Sequence, residues 1–491
     1  MSYLAFDLGG SGGKLFLGCL RDGTLALEEV HRFGNAPVSV GPGLYWSLFG
    51  IYEQLNTGLR LAAHRAGGDP IVSLGLDSFS NDFSLIDGNG EVLIPMRCYR
   101  DGRTERHAEE AYRIMPRERL HHITGNQNAP FNTLMQLAAM RCAGQGYLLE
   151  KAGKLLFTPD LLAFFLTGEA VAEFTIASVS QMMDLASGTW SDEILRAYGI
   201  PARLLAPIVE PGTTVGGLRK AYREEHSLPD FRVVAVCEHD TASAFLSSVA
   251  EGERVIISCG TWSLVGTEAD APVINDATFT HNIANEGGYR GRVRILRNVM
   301  GLWIIQQIRR DYAAMGENLS FGHMGRAAAE AKPFAFLFDP DDPGLFAPEN
   351  MLTAVRERCG DKSGRKPETL GEIVRAVEES LAFKYRWAIE KIEAAVGKKL
   401  PVINIVGGGS QDDLLCRFTA NACGRPVLAG PTEATALGNV MVQLLADGAL
   451  SSLEEGRRLV AASFPPVWYQ PEDTVLWNER YGEFRSVLNL K

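Results

Sequence analysis

The chain lacks three features that would place it in a membrane, on a nucleic acid or in a disulfide-linked scaffold. No apolar run reaches the ~18 residues that a membrane-spanning helix needs. Lys and Arg total 48 against 59 Asp and Glu, a formal net charge of −11, which argues against the basic face that nucleic-acid binding favours. The eight Cys are scattered and form no Cys-x-x-Cys pair, so a zinc site or a disulfide framework is poorly supported.

Signals for export and for low-complexity structure are also missing. The amino terminus enters an apolar segment directly, without a basic stretch before a long apolar core, and we therefore expect a cytoplasmic protein with reduced, buried thiols. No coiled-coil or low-complexity tract is present. What remains is a chain of 491 residues, 46% of them hydrophobic, which is enough for two or three domains at ~100–200 residues each.

A polar cluster near the middle of the chain is the first candidate site. The apolar run 234–236 leads through Cys237 to Glu238, His239 and Asp240, and small residues with helical character follow. This pattern predicts a buried strand, a tight turn and a helix start, at the strand end where open α/β sheets bind ligands. Asp240 is therefore a candidate general base. It is also a candidate helix N-cap, and the two roles are compatible.

Two glycine-rich segments each separate a pair of strand-like runs. Residues 7–14 lie between the runs 3–6 and 15–20, and residues 258–263 lie in a similar strand, turn, strand pattern. Because the first segment leads into a hairpin and not into a helix, it is neither a Rossmann fingerprint nor a Walker A loop. Consecutive backbone N–H groups could cradle a phosphate there, and Asp7 could hold a hydrated Mg²⁺. The alternative is an ordinary hairpin turn.

A third glycine segment follows the predicted strand 402–406. Gly407, Gly408 and Gly409 precede a helix that begins near Leu414. Bare backbone there lets a flat ligand approach, and a helix amino terminus suits an anion; the alternative is a tight turn without a ligand. With the two hairpins and the acidic strand end, the pattern indicates nucleotide-dependent phosphoryl transfer, which depends on positioning and charge neutralisation.

In order and spacing, these segments resemble the FGGY family of carbohydrate kinases, in the actin-like ATPase superfamily, over nearly the whole chain. The matching motifs are Asp7 to Gly10 and Ser258 to Thr261 for the phosphates, 407–410 and 430–439 for the adenosine, and His239 to Ala244 for the catalytic aspartate. The resemblance implies an α/β, actin-like (ribonuclease H-like) fold of two similar domains with an interdomain cleft. The sugar-binding domain would span residues 1–248 and the ATP-binding domain residues 249–491.

The resemblance also implies roles for individual residues. Asp240 would be the catalytic base, and Mg²⁺ would lie at Asp7 and Asp240. ATP contacts would be made by Asp7, Gly10, Ser11, Gly12, Gly13, Lys14, Gly260, Thr261, Gln306, Gly408 and Gly409. Sugar contacts would be made by Ser80, Asp82, His239, Thr241 and Asn298. Glu238 has no assigned role, although a carboxylate close to His239 could hold that ring protonated.

The implied reaction is ATP-dependent phosphorylation of a primary hydroxyl of a ketose, with O1 of L-rhamnulose as first choice. Phe79, Ser80 and Asn81 stand where the most similar subfamily usually has Trp, Gly and Val, and a hydroxyl or amide there changes which sugar hydroxyls are satisfied. Another ketose or polyol, such as L-fuculose or a xylulose-like sugar, therefore stays an alternative, as does a non-catalytic sugar sensor. The implied partners are the sugar and ATP, without nucleic acid or membrane, in a monomer or homodimer.

Overall fold

A computed structural model describes residues 1–488, apart from the side chains of residues 361–363. The chain divides into two compact units, each built from three segments. Unit 1 comprises Met1–Ser247, Glu268–Ile295 and Ala434–Ser463; unit 2 comprises Ser248–Thr267, Leu296–Glu433 and the chain from Phe464 onward. The sequence prediction divides the chain once, between residues 248 and 249, whereas these packing units are discontinuous because later segments return to the first one.

The central sheet of unit 1 has six strands in mixed orientation. Three of them, Ser2–Leu8, Ile71–Ser78 and Arg232–Val234, are parallel neighbours, so their carboxyl ends meet at one edge of the sheet. The strand after the first glycine segment is antiparallel to the first strand, as the hairpin pattern predicts. The order across the sheet is Thr214–Gly217, Arg232–Val234, Ile71–Ser78, Ser2–Leu8, Gly12–Arg21 and Thr24–Gly34.

The strands of unit 2 repeat this arrangement. Arg254–Cys259 is antiparallel to Trp262–Ala269, which follows the second glycine segment, and parallel to Val402–Val406. The repeated strand, turn, strand pattern is therefore present in both units. The order across these strands is Val293–Met300, Trp262–Ala269, Arg254–Cys259, Val402–Val406, Val427–Ala429 and Val467–Tyr469.

Helices and short strands cover the sheet of unit 1. Leu48–Ala66 is the longest of its helices and buries Leu48, Ile51, Leu55 and Leu59, at helical spacing. The other helices are Arg103–Ile114, Arg117–Thr124, Thr133–Cys142, Gly146–Lys151, Thr158–Thr167, Phe174–Ser178, Asp192–Ala197, Lys220–His226, Asp240–Leu246, Asp276–Thr280, Ala434–Ala446 and Leu453–Ser463. The short strands are Val38–Val40, Gly43–Tyr45, Phe83–Ile86, Lys154–Phe157, Ala172–Glu173, Met183–Asp184, Thr189–Trp190 and Ile208–Val209. A further short strand, Ala284–Gly287, pairs with Val293–Met300.

Unit 2 is organised around one long helix, Leu370–Val396. Thr369 and Glu372 form a reciprocal capping box at its start, and Gly397 ends it in the left-handed conformation, as the sequence pattern predicts. The other helices are Trp303–Ala314, Phe321–Glu330, Met351–Ser363, Asp413–Cys423 and Thr474–Val487. None of the helices within residues 1–488 combines the length and the apolar character that a membrane crossing needs.

Candidate active site

Acidic side chains occupy the carboxyl ends of the three parallel strands of unit 1. Asp7 is in register with Asp77, and Ser78 forms a parallel bridge with His239, the residue before Asp240. Burial raises the pKa of Asp77, and the negative charges of Asp7 and Asp240 add to that rise. The fold thus brings together three carboxyl groups that are far apart along the chain.

Asp77 is held by an amide ladder on the helix Ala434–Ala446. Asn439 Nδ2 donates to Asp77 Oδ2 at 2.6 Å, and Gln443 Nε2 donates both to Asn439 Oδ1 at 2.7 Å and to the carbonyl of Leu4 at 2.8 Å. The second oxygen of Asp77 is buried and has no hydrogen-bond partner among the described residues. Sequence reasoning took Asn439 as part of the adenosine region and missed this contact, since only the tertiary structure brings the helix under the sheet.

The Asp240 side chain is more exposed than those of Asp77 and His239. Asp240 is the first residue of the helix Asp240–Leu246, whose N-cap is His239, and no side chain caps the helix. The N-cap alternative for Asp240 is therefore not what the structure shows. Its side chain is 28% exposed, and Oδ1 accepts a hydrogen bond from Thr241 Oγ1 at 3.0 Å. Burial raises the pKa of Asp240 despite the opposing effect of His239, which makes its carboxylate a stronger base.

His239 lies between Asp240 and a buried ion pair. Its Nε2 is 3.6 Å from Asp240 Oδ1, and its Nδ1 is 3.1 Å from Arg294 Nη2 and 3.4 Å from Glu286 Oε2. Burial acts to raise the pKa of Glu286, but the net shift is downward, and the charge of Arg294 is its largest cause. Sequence reasoning assigned no role to Glu286 or Arg294.

Glu238 is not the carboxylate beside His239. Its side chain is buried with Asp160 and Glu173, and its backbone N–H donates to Glu173 Oε2 at 3.1 Å. Burial, together with the charges of Asp160 and Glu173, raises the pKa of Glu238 well above its ordinary value. The expectation that Glu238 could hold His239 protonated is therefore wrong, because the carboxylates that lie at the His239 ring are those of Asp240 and Glu286.

The first glycine segment forms a tight turn that Asn35 holds in place. Gly9 N–H donates to the Gly12 carbonyl at 2.8 Å, and Asn35 Nδ2 donates to the Gly9 carbonyl at 3.1 Å. A Cβ at Gly13 would lie 2.2 Å from the Phe33 ring, so glycine is required there by packing. Lys14 is in register with Asp7, which puts a cation next to the acidic strand end. Gly10 and Ser11 form the tip of the turn.

In the segment 79–82, Ser80 is partly exposed and Asp82 is buried. Ser80 is partly exposed, and Asn81 Nδ2 donates to its hydroxyl at 3.0 Å. Asp82 is fully buried, and its two oxygens accept hydrogen bonds from Trp46 Nε1 at 2.6 Å, the Tyr99 backbone N–H at 2.9 Å and Gln136 Nε2 at 2.9 Å. Asp82, a predicted sugar contact, is therefore already paired within the protein and anchors neighbouring loops.

The second glycine segment, in unit 2, accepts hydrogen bonds from the start of the helix Trp303–Ala314. The Gly260 carbonyl accepts from the Leu302 N–H at 2.9 Å, and the Thr261 carbonyl accepts from the Trp303 N–H at 3.2 Å. The preceding strand runs to Met300, although the sequence pattern predicts a helix from Asn298, because pairing in the sheet keeps these residues extended. Asn298 is thus on a strand, and its Oδ1 is buried without a hydrogen-bond partner among the described residues.

A largely apolar cavity of about 600 Å³ lies within unit 2. Two predicted ATP contacts, Gln306 and Gly408, line it, and Thr261 and Gly260 do not. Gly409 is buried, and a Cβ there would lie 2.2 Å from Cys259 Sγ, so packing requires glycine at this position. Lining residues that sequence reasoning missed include Leu302, Ile305, Phe321, Arg326, Asp412 and Arg417.

The family follows from comparison with known proteins. Residues 3–247 match the N-terminal domain and residues 255–446 the C-terminal domain of the FGGY family of carbohydrate kinases. The chain therefore belongs to this family, and it is a carbohydrate kinase that uses ATP, with Mg²⁺ as the usual metal.

Individual relatives and solved structures agree with that assignment. The chain is 37% identical to a rhamnulokinase of Bacteroides thetaiotaomicron, covering 99% of both chains, and 33% identical to a rhamnulokinase of Bacillus subtilis, covering 96% of both. It superposes on a xylulose kinase from Lactobacillus acidophilus with a TM-score of 0.83 at 16% identity, covering 99% of this chain and 97% of that one. A Plasmodium falciparum glycerol kinase with ADP gives 0.80 at 14% identity, with the same coverage. The predicted actin-like α/β fold class is confirmed.

Proposed function

We propose that this protein transfers the γ-phosphate of ATP to the O1 hydroxyl of L-rhamnulose, with Asp240 as the general base. The observation that carries the proposal is the partly exposed Asp240 carboxylate, with a raised pKa, at the same strand edge as Asp7 and Asp77. The choice of sugar rests on the relatives of 33% and 37% identity over nearly the full chain, which are rhamnulokinases.

The carboxyl groups at this edge fit Mg²⁺. Mg²⁺ prefers oxygen ligands and keeps several of its waters when one or two carboxylates hold it beside substrate phosphates. The unpartnered, buried oxygen of Asp77 and the raised pKa of that group mark a place where negative charge is not yet compensated. We propose Asp7 and Asp240 as the residues that would hold the ion, which when bound neutralises phosphate charge.

The proton transfer follows from the contacts of Asp240. Thr241 Oγ1 and the His239 ring both lie at Oδ1, so Oδ2 is the oxygen that would accept the proton of the sugar hydroxyl. The hydroxyl oxygen then attacks the γ-phosphate, and ADP leaves with the electron pair of the broken bond. Ser80, His239, Thr241 and Asn298 are the proposed sugar contacts; of these, Thr241 is buried against Asp240.

The proposed ATP contacts fall into two groups. The adenosine would occupy the cavity lined by Gln306 and Gly408, where Leu302, Ile305 and Phe321 supply the apolar walls that suit a flat base. Backbone N–H groups of the two glycine turns, at Gly10 to Gly13 and at Gly260, would bind the phosphates, with the Lys14 ammonium adding positive charge.

A second candidate is another ketose or polyol, and the segment 79–81 favours it. Phe79 stacks on Trp46 with 4.6 Å between ring centroids, which turns it away from a sugar-facing role. Asn81 adopts a left-handed φ of 73°, and its amide oxygen is buried without a hydrogen-bond partner among the described residues. Such an amide could select a sugar hydroxyl that the usual valine of the subfamily would not recognise.

A coupled ADP-release assay across ketoses and polyols tests both candidates. The panel contains L-rhamnulose, L-fuculose, D- and L-xylulose and glycerol, with kcat/KM for each. We expect L-rhamnulose to be the best substrate by at least ~10-fold, since a site built to bind a substrate hydroxyl rejects analogues that misplace it. A higher kcat/KM for another sugar would transfer the assignment to that sugar, and ATP binding without ADP release on any member would overturn the kinase proposal.

A further inference from the structure

A buried ion pair in unit 1 lies directly behind His239. Arg294 and Glu286 are 1% and 3% exposed, and Arg294 Nη1 is 3.1 Å from Glu286 Oε2. Arg294 Nε also donates to the Gly287 carbonyl at 2.9 Å. Two charges removed from water contribute little to stability by themselves, because the loss of hydration offsets their attraction. The presence of this pair next to the candidate base therefore calls for a functional reason.

The ion pair acts on one specific nitrogen of the His239 ring. Arg294 Nη2 is 3.1 Å from Nδ1, whereas Glu286 Oε2 is 3.4 Å from the same atom. A guanidinium group can donate hydrogen bonds but cannot accept them. The shorter contact therefore requires a lone pair on Nδ1, and the ring hydrogen of the neutral imidazole must be on Nε2, the atom that faces Asp240 Oδ1.

We infer that Arg294 is a positioning residue that holds His239 with its ring hydrogen on Nε2 and directs that hydrogen to Asp240 Oδ1, while Glu286 holds the guanidinium of Arg294. Nε2 and Oδ1 are 3.6 Å apart. Hydrogen bonds between catalytic groups are often this long without substrate and shorten when it binds. With donors from His239 and Thr241 both on Oδ1, the carboxylate of Asp240 keeps one orientation and offers Oδ2 to the substrate.

This inference rests on the proposed role of Asp240, but its first test needs no substrate. The protein is produced with ¹⁵N-labelled histidine, and the signals of His239 among the nine His of the chain are those that disappear in His239→Gln. At one fixed pH we expect the wild-type spectrum of His239 to show hydrogen on Nε2. In Arg294→Met a hydrogen should appear on Nδ1, because Glu286 is then the remaining partner of that nitrogen and it accepts. An unchanged Nε2–H spectrum in Arg294→Met would overturn the inference.

Three further variants separate the positioning role from general damage. Glu286→Gln keeps Arg294 as donor, so we expect the Nε2–H spectrum to persist, as it should in Arg294→Lys. Arg292→Met is the matched control, because Arg292 is half-exposed and pairs with Glu454 at 3.4 Å; it should leave the His239 spectrum unchanged. A changed ring spectrum in Glu286→Gln with an unchanged one in Arg294→Met would show that Glu286 sets the tautomer, and would also overturn the inference.

Kinetics then test whether the tautomer matters for phosphoryl transfer. In Arg294→Met, kcat should fall by up to ~10²-fold, as for misplaced catalytic groups, with KM for ATP unchanged, and Arg294→Lys should recover part of the loss. If Arg294→Met does not fold, Arg294→Lys is measured alone, and a ring hydrogen on Nδ1 in that variant would contradict the inference, because lysine can only donate to that nitrogen. Wild-type protein without kinase activity would refute the proposed function while leaving the tautomer measurement intact.

Discussion

The two units share a strand arrangement but present different chemistry at the strand ends. In each unit a first strand is antiparallel to the strand after its glycine turn and parallel to a strand from later in the chain. In unit 1 these ends lead to Asp7, Asp77 and Asp240. In unit 2 the corresponding ends lead to 259–260, 407–409 and Gly430, which offer backbone and no carboxylate. The topology decides where polar atoms meet, and the side chains decide what they can do there.

Buried polar side chains show how far the two edges differ. Asn404, on the central strand of unit 2, is fully satisfied: Oδ1 accepts from Ser248 Oγ and the Val249 N–H, both at 2.8 Å, and Nδ2 donates to the carbonyls of Leu428 and Gly430 at 3.0 and 2.8 Å. Asp77 in unit 1 keeps one buried oxygen without such a partner among the described residues. Asn404, at the strand edge of unit 2 that carries no carboxylate (the neutral edge), is thus satisfied within the protein. For one oxygen of Asp77, at the strand edge of unit 1 that carries the carboxylates (the acidic edge), none of the described residues supplies a donor.

The largest effect is expected from replacing Asp240, the candidate general base at the acidic edge. Asp240→Asn should lower kcat by roughly 10²–10⁴-fold, the usual contribution of a general base, while ATP binding measured by calorimetry stays normal. The exposed Asp192→Asn is the matched control and should not change kcat. Near-normal turnover of Asp240→Asn in the ADP-release assay would break the comparison, because the acidic edge would then have no chemical role.

The next largest effect is expected at Gly438, where the helices Asp240–Leu246 and Ala434–Ala446 of unit 1 approach each other closely. A Cβ at Gly438 would lie 1.9 Å from the Ser243 carbonyl oxygen, on the helix that begins with Asp240. Gly438→Ala should therefore destabilise the protein by about 3 kcal/mol, at the upper end of overpacking effects, and should lower kcat as well.

The control for this change is Gly482→Ala. Gly482 lies in a helix of unit 2, and a Cβ added there would meet no other atom of the described residues within 4 Å, so alanine should stabilise by ~0.5–1 kcal/mol. Urea unfolding measures both variants. Equal stabilities of Gly438→Ala and Gly482→Ala would contradict the close approach of the two helices.

Buried acids outside the strand edges should make stability depend on pH. Burial raises the pKa of Glu379 in unit 2 to about 7 from 4.5, although Arg375 opposes the rise. An acid whose pKa is higher in the folded protein contributes stability that is complete below its unfolded pKa and is lost as pH rises through the folded one. Between pH 5.5 and 8.5 this residue alone should remove about 2 kcal/mol of unfolding free energy.

Glu379→Gln isolates that contribution. Urea unfolding at several pH values should give a shallower loss of stability for the variant than for the wild type, whatever its stability at a single pH. Glu173 in unit 1, whose pKa burial also raises to about 7, remains in both proteins and supplies a shared background. Parallel curves for variant and wild type would rule out the raised pKa of Glu379.

The smallest effect should come from the neutral edge. A Cβ at Gly408 would meet nothing among the described residues within 4 Å, so Gly408→Ala should leave the melting temperature unchanged. It would, however, enter the proposed adenosine cavity and should raise KM for ATP by about 10-fold, or ~1.4 kcal/mol. Gly409→Ala, with its Cβ 2.2 Å from Cys259 Sγ, should instead lower the melting temperature. An unchanged KM in Gly408→Ala would remove the cavity from the ATP site.

Local patterns were sufficient to predict much of the fold. The turn at Asp22 and Gly23, the helix Leu48–Ala66 and the capping box at Thr369 all follow from interactions between residues close in sequence. The strand ends at Asp7 and Asp240 were predictable for the same reason, since an apolar run that stops at an acidic residue is visible in one dimension. The prediction failed at Asn298, where pairing with a distant strand overrides a local helical pattern.

The candidate site was predictable only in part, because its support comes from distant segments. Asn35 on the first glycine turn, Asn439 on Asp77 and Arg294 on His239 are all contacts between residues from different parts of the chain. Nothing in a single sequence distinguishes such an amide or guanidinium from one on the surface. The wrong expectation for Glu238 has the same origin, since Asp160 and Glu173, which act on its side chain, come from distant parts of the chain.

The sequence by itself determined the family, the acidic and glycine-rich strand ends and the identity of the candidate base, because each depends on the order of residues along the chain. Only the tertiary structure decided which groups surround that base. It placed Glu286 and Arg294 behind His239, turned Glu238 toward Asp160 and Glu173, and set Asp77 beside Asp7. The physical reason is that hydrogen bonds and charges act over a few ångströms in space, and the fold alone brings these residues within that distance.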